Sequence, residues 1–289
     1  MIPVFYRPEM SVADNASFSP SAGKPALAVA DWQARKMPIE LHSFEPVTQQ
    51  QLMLVHDERY VLDVFNRDEP NGFGNTDPAV AQACLYTCGS MVAAAEHAVR
   101  HDAFVCSPTS GFHHAGRDFG GGFCTFNGLA LAAHHIVTKL DQDVAIIDCD
   151  QHDGNGTRDI IEGRGGWTKR VTHSNMGRYG FTCVQTFYNW LEREMEKARA
   201  EDRVILYQAG ADAHIRDPLG GFLHTNHLAE RDGIVFYMAA MFSQPVVWNL
   251  AGGYLRDDKG SIKPVLEIHR NTMLQCARAK GIPVRSYLD

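Results

Sequence analysis

The segment from Val144 to Thr157 constrains the fold of this chain more than any other. It begins with an apolar run, Val144 to Ile147, that has the composition of a buried strand. The run leads into Asp148, Asp150 and His152, and two glycines and a helix-like stretch follow. Because residues two apart in an extended chain point the same way, these three side chains are predicted to share one side of the strand end. A buried strand that carries charged groups at its carboxyl end is typical of an open parallel sheet with a site outside it.

The residues of this segment alone allow two interpretations. Oxygen and nitrogen donors on one side of a strand end suit a divalent metal such as zinc. The alternative is an Asp-rich turn that caps the helix beginning near Thr157. The residues at the other predicted strand ends help to decide between a metal site and a helix-capping turn.

Strand-like and helix-like segments alternate at least five times, which is the pattern of a parallel sheet covered by helices on both faces. Four predicted strands end in residues that a packed core does not need. They are the pair His113 and His114, the segment from Asp148 to His152, Asp212, and the run from Gly252 to Tyr254. Because the carboxyl ends of parallel strands meet at one edge of a sheet, we expect these groups in one crevice. The coincidence favours a functional site over a structural turn.

Composition narrows the possible classes of protein. The length of 289 residues fits one α/β domain, and no repeat or change in composition divides it, so residues 1–289 are predicted to form a single domain. The 34 acidic residues outnumber the 27 basic ones, which argues against a general nucleic-acid surface. No apolar run approaches the roughly 20 residues that a membrane span needs, and the start lacks a signal-peptide layout. Seven scattered cysteines are expected to be reduced thiols, so a cytoplasmic location is predicted.

Taken in order, these segments resemble the motifs of the histone deacetylase family, the zinc-dependent amidohydrolases of acyl-lysine and acetylpolyamines. The resemblance covers roughly residues 45 to 269, and its segments are Glu45–Thr48 with Val55–Asp57, His113–Ala115, Gly122–Asn127, Asp148–His152, Gly154–Thr157, Gly210–Asp212 with Asp217–Gly221, and Gly252–Tyr254. Asn155 and the Asp217–Gly220 run are closer to the class II branch than to class I. The resemblance implies a single α/β catalytic domain with the arginase–deacetylase fold, an open parallel sheet with helices on both faces.

The resemblance assigns a metal site to three of these residues. It implies that Asp150, His152 and Asp212 bind one catalytic zinc ion (Zn2+) and leave positions open for water and a substrate carbonyl. It also implies a potassium ion (K+) near Asp148.

The two adjacent histidines receive different roles from the same resemblance. His114, paired with Asn155, is expected to be the general base for the water and later the acid for the leaving amine. His113, paired with Asp148, is expected to support the charge around that water. A carboxylate partner favours the imidazolium and a neutral amide does not, so the two histidines are expected to titrate differently.

The substrate channel is where this sequence departs from the family. The Tyr254 hydroxyl is expected to donate to the substrate carbonyl. Phe123 is expected to wall a narrow tunnel, and the backbone of Gly122 to contact the substrate chain. The loop after the strand near residue 172 lacks the usual run of two phenylalanines, a proline and a glycine, so Phe181 or Tyr179 is expected to supply the second wall.

The leading interpretation is zinc-dependent hydrolysis of an N-acetyl amide, with acetyl-lysine in a protein or peptide as the substrate. An acetylated polyamine is the alternative substrate, and a non-catalytic protein that binds acylated lysine is a third hypothesis. The loop from Asn66 to Asp77, which carries Asp68 and Glu69, is predicted at the tunnel mouth, where its carboxylates would attract a cationic substrate. Lys24 is expected beside an acetate-release channel.

Overall fold

Seven parallel strands form the central sheet of the protein. The structure is a computed structural model that describes residues 1–13 and 17–284. The strands are β1 (Ile2–Phe5), β2 (Ile39–His42), β3 (Phe104–Cys106), β4 (Val144–Asp148), β5 (Val171–Asn175), β6 (Val204–Gln208) and β7 (Val246–Asn249). They pair in the order β2-β1-β3-β7-β6-β4-β5, and every pair is parallel.

Helices connect the strands, as a parallel sheet requires. Within the described residues they are α1 (Lys24–Ala34), α2 (Gln49–Leu52), α3 (Glu58–Asn66), α4 (Pro78–His101), α5 (Gly128–Lys139), α6 (Asn155–Glu162), α7 (Trp167–Arg170), α8 (Val184–Ala200), α9 (Thr225–Met241) and α10 (Lys263–Ala279). Short 3-10 helices occupy Pro8–Met10 and Met176–Arg178.

The side chains of the central strands alternate between two apolar cores, one on each face of the sheet. On β6, Ile205 and Tyr207 join a core with residues of α1, α8, α9 and α10. Val204 and Leu206 of the same strand join a second core with residues of α3, α4 and α5. This alternation follows from the two-residue period of a strand. The prediction of a parallel sheet with helices on both faces is confirmed.

One helix resembles a membrane span in length and composition. Within the described residues, α4 alone passes that test, and half of its most apolar window is buried inside the molecule. It packs against α5, β3 and β7. Core helices have the same apolar character, so the feature is weak evidence for a span.

The strand order determines where the candidate site lies. The strands β3, β7, β6 and β4 are consecutive in the sheet, so their carboxyl ends lie side by side. Those are the strands that precede the His113–His114 pair, Tyr254, Asp212 and the Asp150–His152 segment. The sheet therefore gathers the predicted site residues at one edge. That residues 1–289 form a single domain stays a prediction.

Candidate metal and catalytic site

Two carboxylates and one imidazole form a group of suitable metal donors. One ligand atom from each of Asp150, His152 and Asp212 lies within 4.8 Å of the others. Both carboxylates are buried, whereas the His152 side chain is about one-third exposed (32%). No other group of three or more His, Cys, Asp or Glu side chains meets this criterion in residues 1–13 and 17–284.

The hydrogen bonds of His152 test whether this group fits a metal. Its Nε2 lies 3.1 Å from the Leu219 carbonyl, to which it donates. Its Nδ1 lies 2.9 Å from Asp212 Oδ2 and 3.2 Å from Asp150 Oδ1. Hydrogen bonds to these two carboxylates raise the pKa of His152 to about 11, so positive charge is strongly favoured at this point. Burial, with the nearby charge of Asp150, raises the pKa of Asp212. The donor set therefore fits a divalent cation such as zinc.

Backbone amides hold the carboxylates in place. Gly252 N donates to Asp150 Oδ2 at 2.9 Å, and Gln151 N donates to Asp212 Oδ1 at 3.2 Å. A Cβ atom on Gly252 would lie 2.4 Å from Asp212 Oδ2 and 2.7 Å from Asp150 Oδ2. Gly252 thus has to be glycine, because any side chain would displace both carboxylates.

His113 and His114 contact different partners. His113 Nδ1 donates to Asp148 Oδ2 at 2.9 Å, and His114 Nδ1 donates to Asn155 Oδ1 at 2.7 Å. His113 is buried and its Nε2 lies 3.5 Å from Asp150 Oδ1, whereas His114 is only partly buried. The two rings are 4.2 Å apart.

These partners separate the pKa values of the two imidazoles. Burial disfavours charge on His113, but Asp150 and Asp148 outweigh it and raise its pKa to about 9. Burial and the neighbouring His113 lower the pKa of His114. At neutral pH, His113 is therefore charged and His114 neutral.

Asp148 accepts four protein donors. Its Oδ2 accepts from His113 and, at 3.0 Å, from His173 Nε2. Its Oδ1 accepts from Gln208 Nε2 at 3.1 Å and from the Asp150 amide at 3.2 Å. These contacts give no support to the potassium ion expected there, and that ion stays a prediction.

Tyr254 lies beside the donor group, in the segment that follows β7. Its backbone amide and that of Leu255 both donate to Asp217 Oδ2, at 2.8 and 3.2 Å. Burial, together with Asp150 and Asp212, raises the pKa of the Tyr254 hydroxyl well above its ordinary value. The phenol therefore keeps its proton and is a hydrogen-bond donor.

The loop that contains Gly122 and Phe123 crosses the histidine pair. Both residues have positive φ, +52° and +65°, and a Cβ on Gly122 would lie 2.3 Å from the His114 ring. The ring of Phe123 lies 5.5 Å from that of Tyr254 and 5.6 Å from that of Phe73. Phe123 thus lies beside the candidate catalytic residues, where a substrate channel was expected.

The rings that face Phe123 differ from those expected. Tyr179 and Phe181 stack on each other and pack against Trp190. Phe18 packs edge-on against Phe123 at 5.3 Å. Phe18 and Phe73 thus contact Phe123, and the second wall expected from Phe181 or Tyr179 stays a prediction.

Sequence reasoning missed three residues that contact the predicted site residues. His173 lies on β5, one strand away from Asp148, and Phe18 and Phe73 lie in loops. A histidine inside a predicted strand was the available signal for His173. Loop phenylalanines carry no periodic signal, so Phe18 and Phe73 were not distinguishable from other apolar residues.

Lys24 is fully buried. Its Nζ donates to the Ala251 carbonyl at 2.9 Å and lies 5.8 Å from the Tyr254 ring centre. Burial lowers its pKa to about 8. Phe123, Phe112 and Ser21 are among the residues that line a mainly apolar cavity. The role expected for Lys24 in releasing acetate stays a prediction.

The fold and the residues at its strand ends define a parallel α/β protein with an acid-rich metal-type site. The family model described as histone deacetylase domain matches residues 26–181, more than half of the chain. The protein therefore belongs to the histone deacetylase family, which confirms the resemblance.

Curated relatives include plant and bacterial proteins. Histone deacetylase 2 of Arabidopsis thaliana is 26% identical over 78% of this chain and 66% of its own length. Histone deacetylase 10, chloroplastic, of Oryza sativa subsp. japonica is 26% identical over 74% of this chain and 57% of its own length. Acetylpolyamine amidohydrolase of Mycoplana ramosa is 40% identical, over 30% of this chain and 26% of its own length. The chain thus spans less than two thirds of the length of each of these relatives.

A solved structure is similar over almost the whole chain. It is an acetylpolyamine aminohydrolase from Burkholderia pseudomallei, with a TM-score of 0.71 and 18% identity over 96% of this chain and 99% of the other. At this identity the similarity establishes the arginase–deacetylase fold and nothing further.

Proposed function

We propose that this protein hydrolyses the acetyl amide of an N-acetylated amine at a zinc ion held by Asp150, His152 and Asp212. The observation that carries the proposal is the pairing of a charged and a neutral histidine beside the donor group. That arrangement supplies a proton acceptor and a fixed positive charge at one place. A turn with a purely structural role requires neither a proton acceptor nor a fixed positive charge.

The zinc ion, when bound, polarises the amide carbonyl and lowers the pKa of a water molecule. His114 provides the base. Because its Nδ1–H is donated to Asn155, its Nε2 carries the lone pair that takes the proton of the attacking water. The same nitrogen then returns that proton to the leaving amine.

His113 and Tyr254 stabilise charge rather than transfer the proton. His113 is held as imidazolium by Asp148, and it orients the water while favouring negative charge near it. The protonated Tyr254 hydroxyl donates to the oxygen of the substrate carbonyl as that oxygen becomes negative. Phe123, with Phe18 and Phe73, excludes bulk water from the amide.

Acetate release from acetyl-lysine peptides and acetylpolyamines by the zinc-loaded protein tests the proposal. The expected result is turnover that His114→Ala abolishes. His135→Ala is the matched control, because His134 and His135 are also adjacent histidines but lie on α5, away from the site. Equal activity in the two variants, or no release from either substrate class, would contradict the proposal.

The loop between α3 and α4 favours an acetylpolyamine as the second candidate substrate. The loop contacts Phe123, since Phe123 N donates to the Gly72 carbonyl at 2.9 Å and the Phe73 ring packs against that of Phe123. Asp68 and Glu69 are exposed there and can attract a free ammonium group. Asp77 has a different role, because it caps α4 by accepting from Ala79 N at 2.9 Å.

We expect Asp68→Ala and Glu69→Ala to raise KM for an acetylated diamine more than for a neutral acetyl-lysine analogue. The difference should shrink at high salt, because screening weakens attraction between exposed charges. Glu196→Ala, an exposed acid on α8, is the control. Equal changes in KM for both substrates would show that the loop does not recognise charge and would leave acetyl-lysine as the favoured substrate.

A further inference from the structure

A buried ion pair lies behind the metal-donor group, on α9. Arg231 and Asp232 are both fully buried, and Arg231 Nε donates to Asp232 Oδ1 at 2.9 Å. Asp232 also accepts from the hydroxyl of Tyr207 at 2.5 Å and from that of Thr272 at 2.6 Å. The aspartate is thus held from β6 and α10 as well. Because the two charges cancel, the pair adds no net charge behind the site.

The other side of the Arg231 guanidinium joins two strand ends. Its Nη1 donates to the Gly210 carbonyl at 2.6 Å and to the Cys149 carbonyl at 3.3 Å. Cys149 immediately precedes Asp150, and Gly210 lies two residues before Asp212. One side chain therefore bonds to both of the segments that deliver the buried carboxylates.

The two segments lie beyond the strand ladder but pack closely against each other. The ladder between β4 and β6 ends at Asp148 and Gln208, so the strands themselves do not pair at the carbonyls that Arg231 binds. A Cβ atom on Gly210 would lie 2.7 Å from both Asp150 Cα and Asp212 Oδ1. A small shift of the Gly210 peptide therefore moves the two carboxylates relative to each other.

We propose that Arg231 is a positioning residue that determines the spacing of Asp150 and Asp212 and thereby the metal affinity of the site. This inference rests on the proposed function, because it assumes that the donor group binds a metal. Residues that orient metal ligands from outside typically contribute about 10- to 100-fold to affinity. We expect a loss of that size when the two carbonyl contacts are removed.

Two variants test the inference without leaving a lone buried charge. Arg231→Lys keeps the positive charge beside Asp232 but replaces the planar guanidinium, which contacts both carbonyls and Asp232, by one ammonium. The double variant Arg231→Met with Asp232→Asn removes both charges together, because an unpaired buried Asp232 would be strongly destabilising. The zinc affinity of each is measured by competition with a chelating dye. The visible absorption of the Co2+-loaded protein reports the geometry of the donors.

Arg203 provides a matched control at the opposite end of the same strands. It is also buried, donates to the carbonyls of Val144, Arg170 and Lys169, and pairs with Glu201. Arg203→Lys and Arg203→Met therefore remove comparable contacts far from the donor group. They are expected to lower the melting temperature and to leave zinc affinity within about twofold of the wild type. Loss of a residue that orients metal ligands lowers metal affinity by about tenfold or more.

The expected result is zinc binding at least about tenfold weaker in both Arg231 variants, with an altered cobalt spectrum. Wild-type affinity in Arg231→Lys, which retains the buried charge pair, would overturn the inference even if the double variant fails to fold. Equal losses in the Arg203 and Arg231 variants would overturn it as well, since general destabilisation would explain both. If the wild type binds zinc no better than Asp212→Ala, the proposed metal site itself is wrong.

Discussion

The Tyr254 phenol, whose pKa is raised well above its ordinary value, remains a proton donor at every working pH. Tyr254→Phe deletes that donor while keeping the ring contact with Phe123. We expect kcat to fall by about 10²–10³ and KM to change little, because the hydrogen bond strengthens only as the carbonyl oxygen becomes negative.

Steady-state kinetics on one acetylated substrate measures this effect. Tyr237→Phe removes a hydroxyl from an exposed ring on α9 and should behave like the wild type. A Tyr254→Phe protein with near wild-type kcat would remove Tyr254 from the proposed mechanism.

The two adjacent histidines are expected to respond unequally to mutation. His114→Ala removes the neutral imidazole that accepts the proton, whereas His113→Ala removes a charged one that assists. General base catalysis typically contributes about 10²–10⁴-fold, so the larger loss of kcat is expected for His114→Ala. Single-turnover acetate release compares the two variants, and an equal loss, or a larger one for His113→Ala, would reverse the assignment.

Much of the residue-level site was predictable because it follows the chain locally. Asp148, Asp150 and His152 are spaced along one strand end, and Gly252 precedes Tyr254 where the carboxylates leave no room for a side chain. His173 and Arg231 were not predictable in this way. Their partners lie on other strands and helices, and sequence spacing does not report contacts across a sheet.

Strands and helices also divide into features that the local sequence predicts and features that depend on contacts between distant segments. The apolar run of β4 is a local signal, and it matches the structure. The second channel wall depends on how loops pack against one another. Tyr179 and Phe181 pack against Trp190 on α8, a contact between distant segments that the sequence did not reveal, and their expected place in the wall stays a prediction.

His56 links three segments near the site and gives a prediction about pH. Its Nδ1 donates to the Gly116 carbonyl at 2.7 Å, and its Nε2 accepts from Asn127 N at 2.9 Å, so the folded protein requires the neutral ring. Burial lowers the pKa of His56 to about 4 against an ordinary value of 6.5. The unfolded chain therefore takes up a proton between these values, and stability is lost as pH falls through that window.

Denaturant unfolding at pH 7.5 and pH 5 measures the contribution. At pH 5 the His56 contribution to the free energy of unfolding should be smaller by on the order of 2 kcal/mol. His56→Asn should show a correspondingly smaller difference between the two pH values, and comparison with the wild type cancels the other histidines. A variant with an unchanged pH difference would show that His56 does not contribute.

At the scale of the whole molecule, the donor group should couple zinc binding to stability. A ligand that binds the folded state stabilises it by about 2.7 kcal/mol when present at 100 times its Kd. We therefore expect zinc to raise the melting temperature of the wild type. Asp212→Ala should abolish this rise, because it leaves only Asp150 and His152.

Metal analysis and thermal melts measure occupancy and the shift together. Asp153→Ala is the matched control, since Asp153 lies beside His152 but pairs with Arg158 at 2.7 Å. It should retain both zinc and the thermal shift. Full occupancy in Asp212→Ala would exclude the proposed ligand set.

The parallel sheet also determines when such a site can exist during folding. His152 and Asp212 are 60 residues apart in the chain, and Gly252 and Asp150 are 102 apart. Contacts over such separations form only after long loops have closed, which makes them late and slow to assemble. Nascent chains released before β7 is synthesised therefore lack the Gly252 amide that holds Asp150. On the proposed function, the metal site therefore reaches its complete form, with the Gly252 amide on Asp150, only after synthesis has passed residue 252.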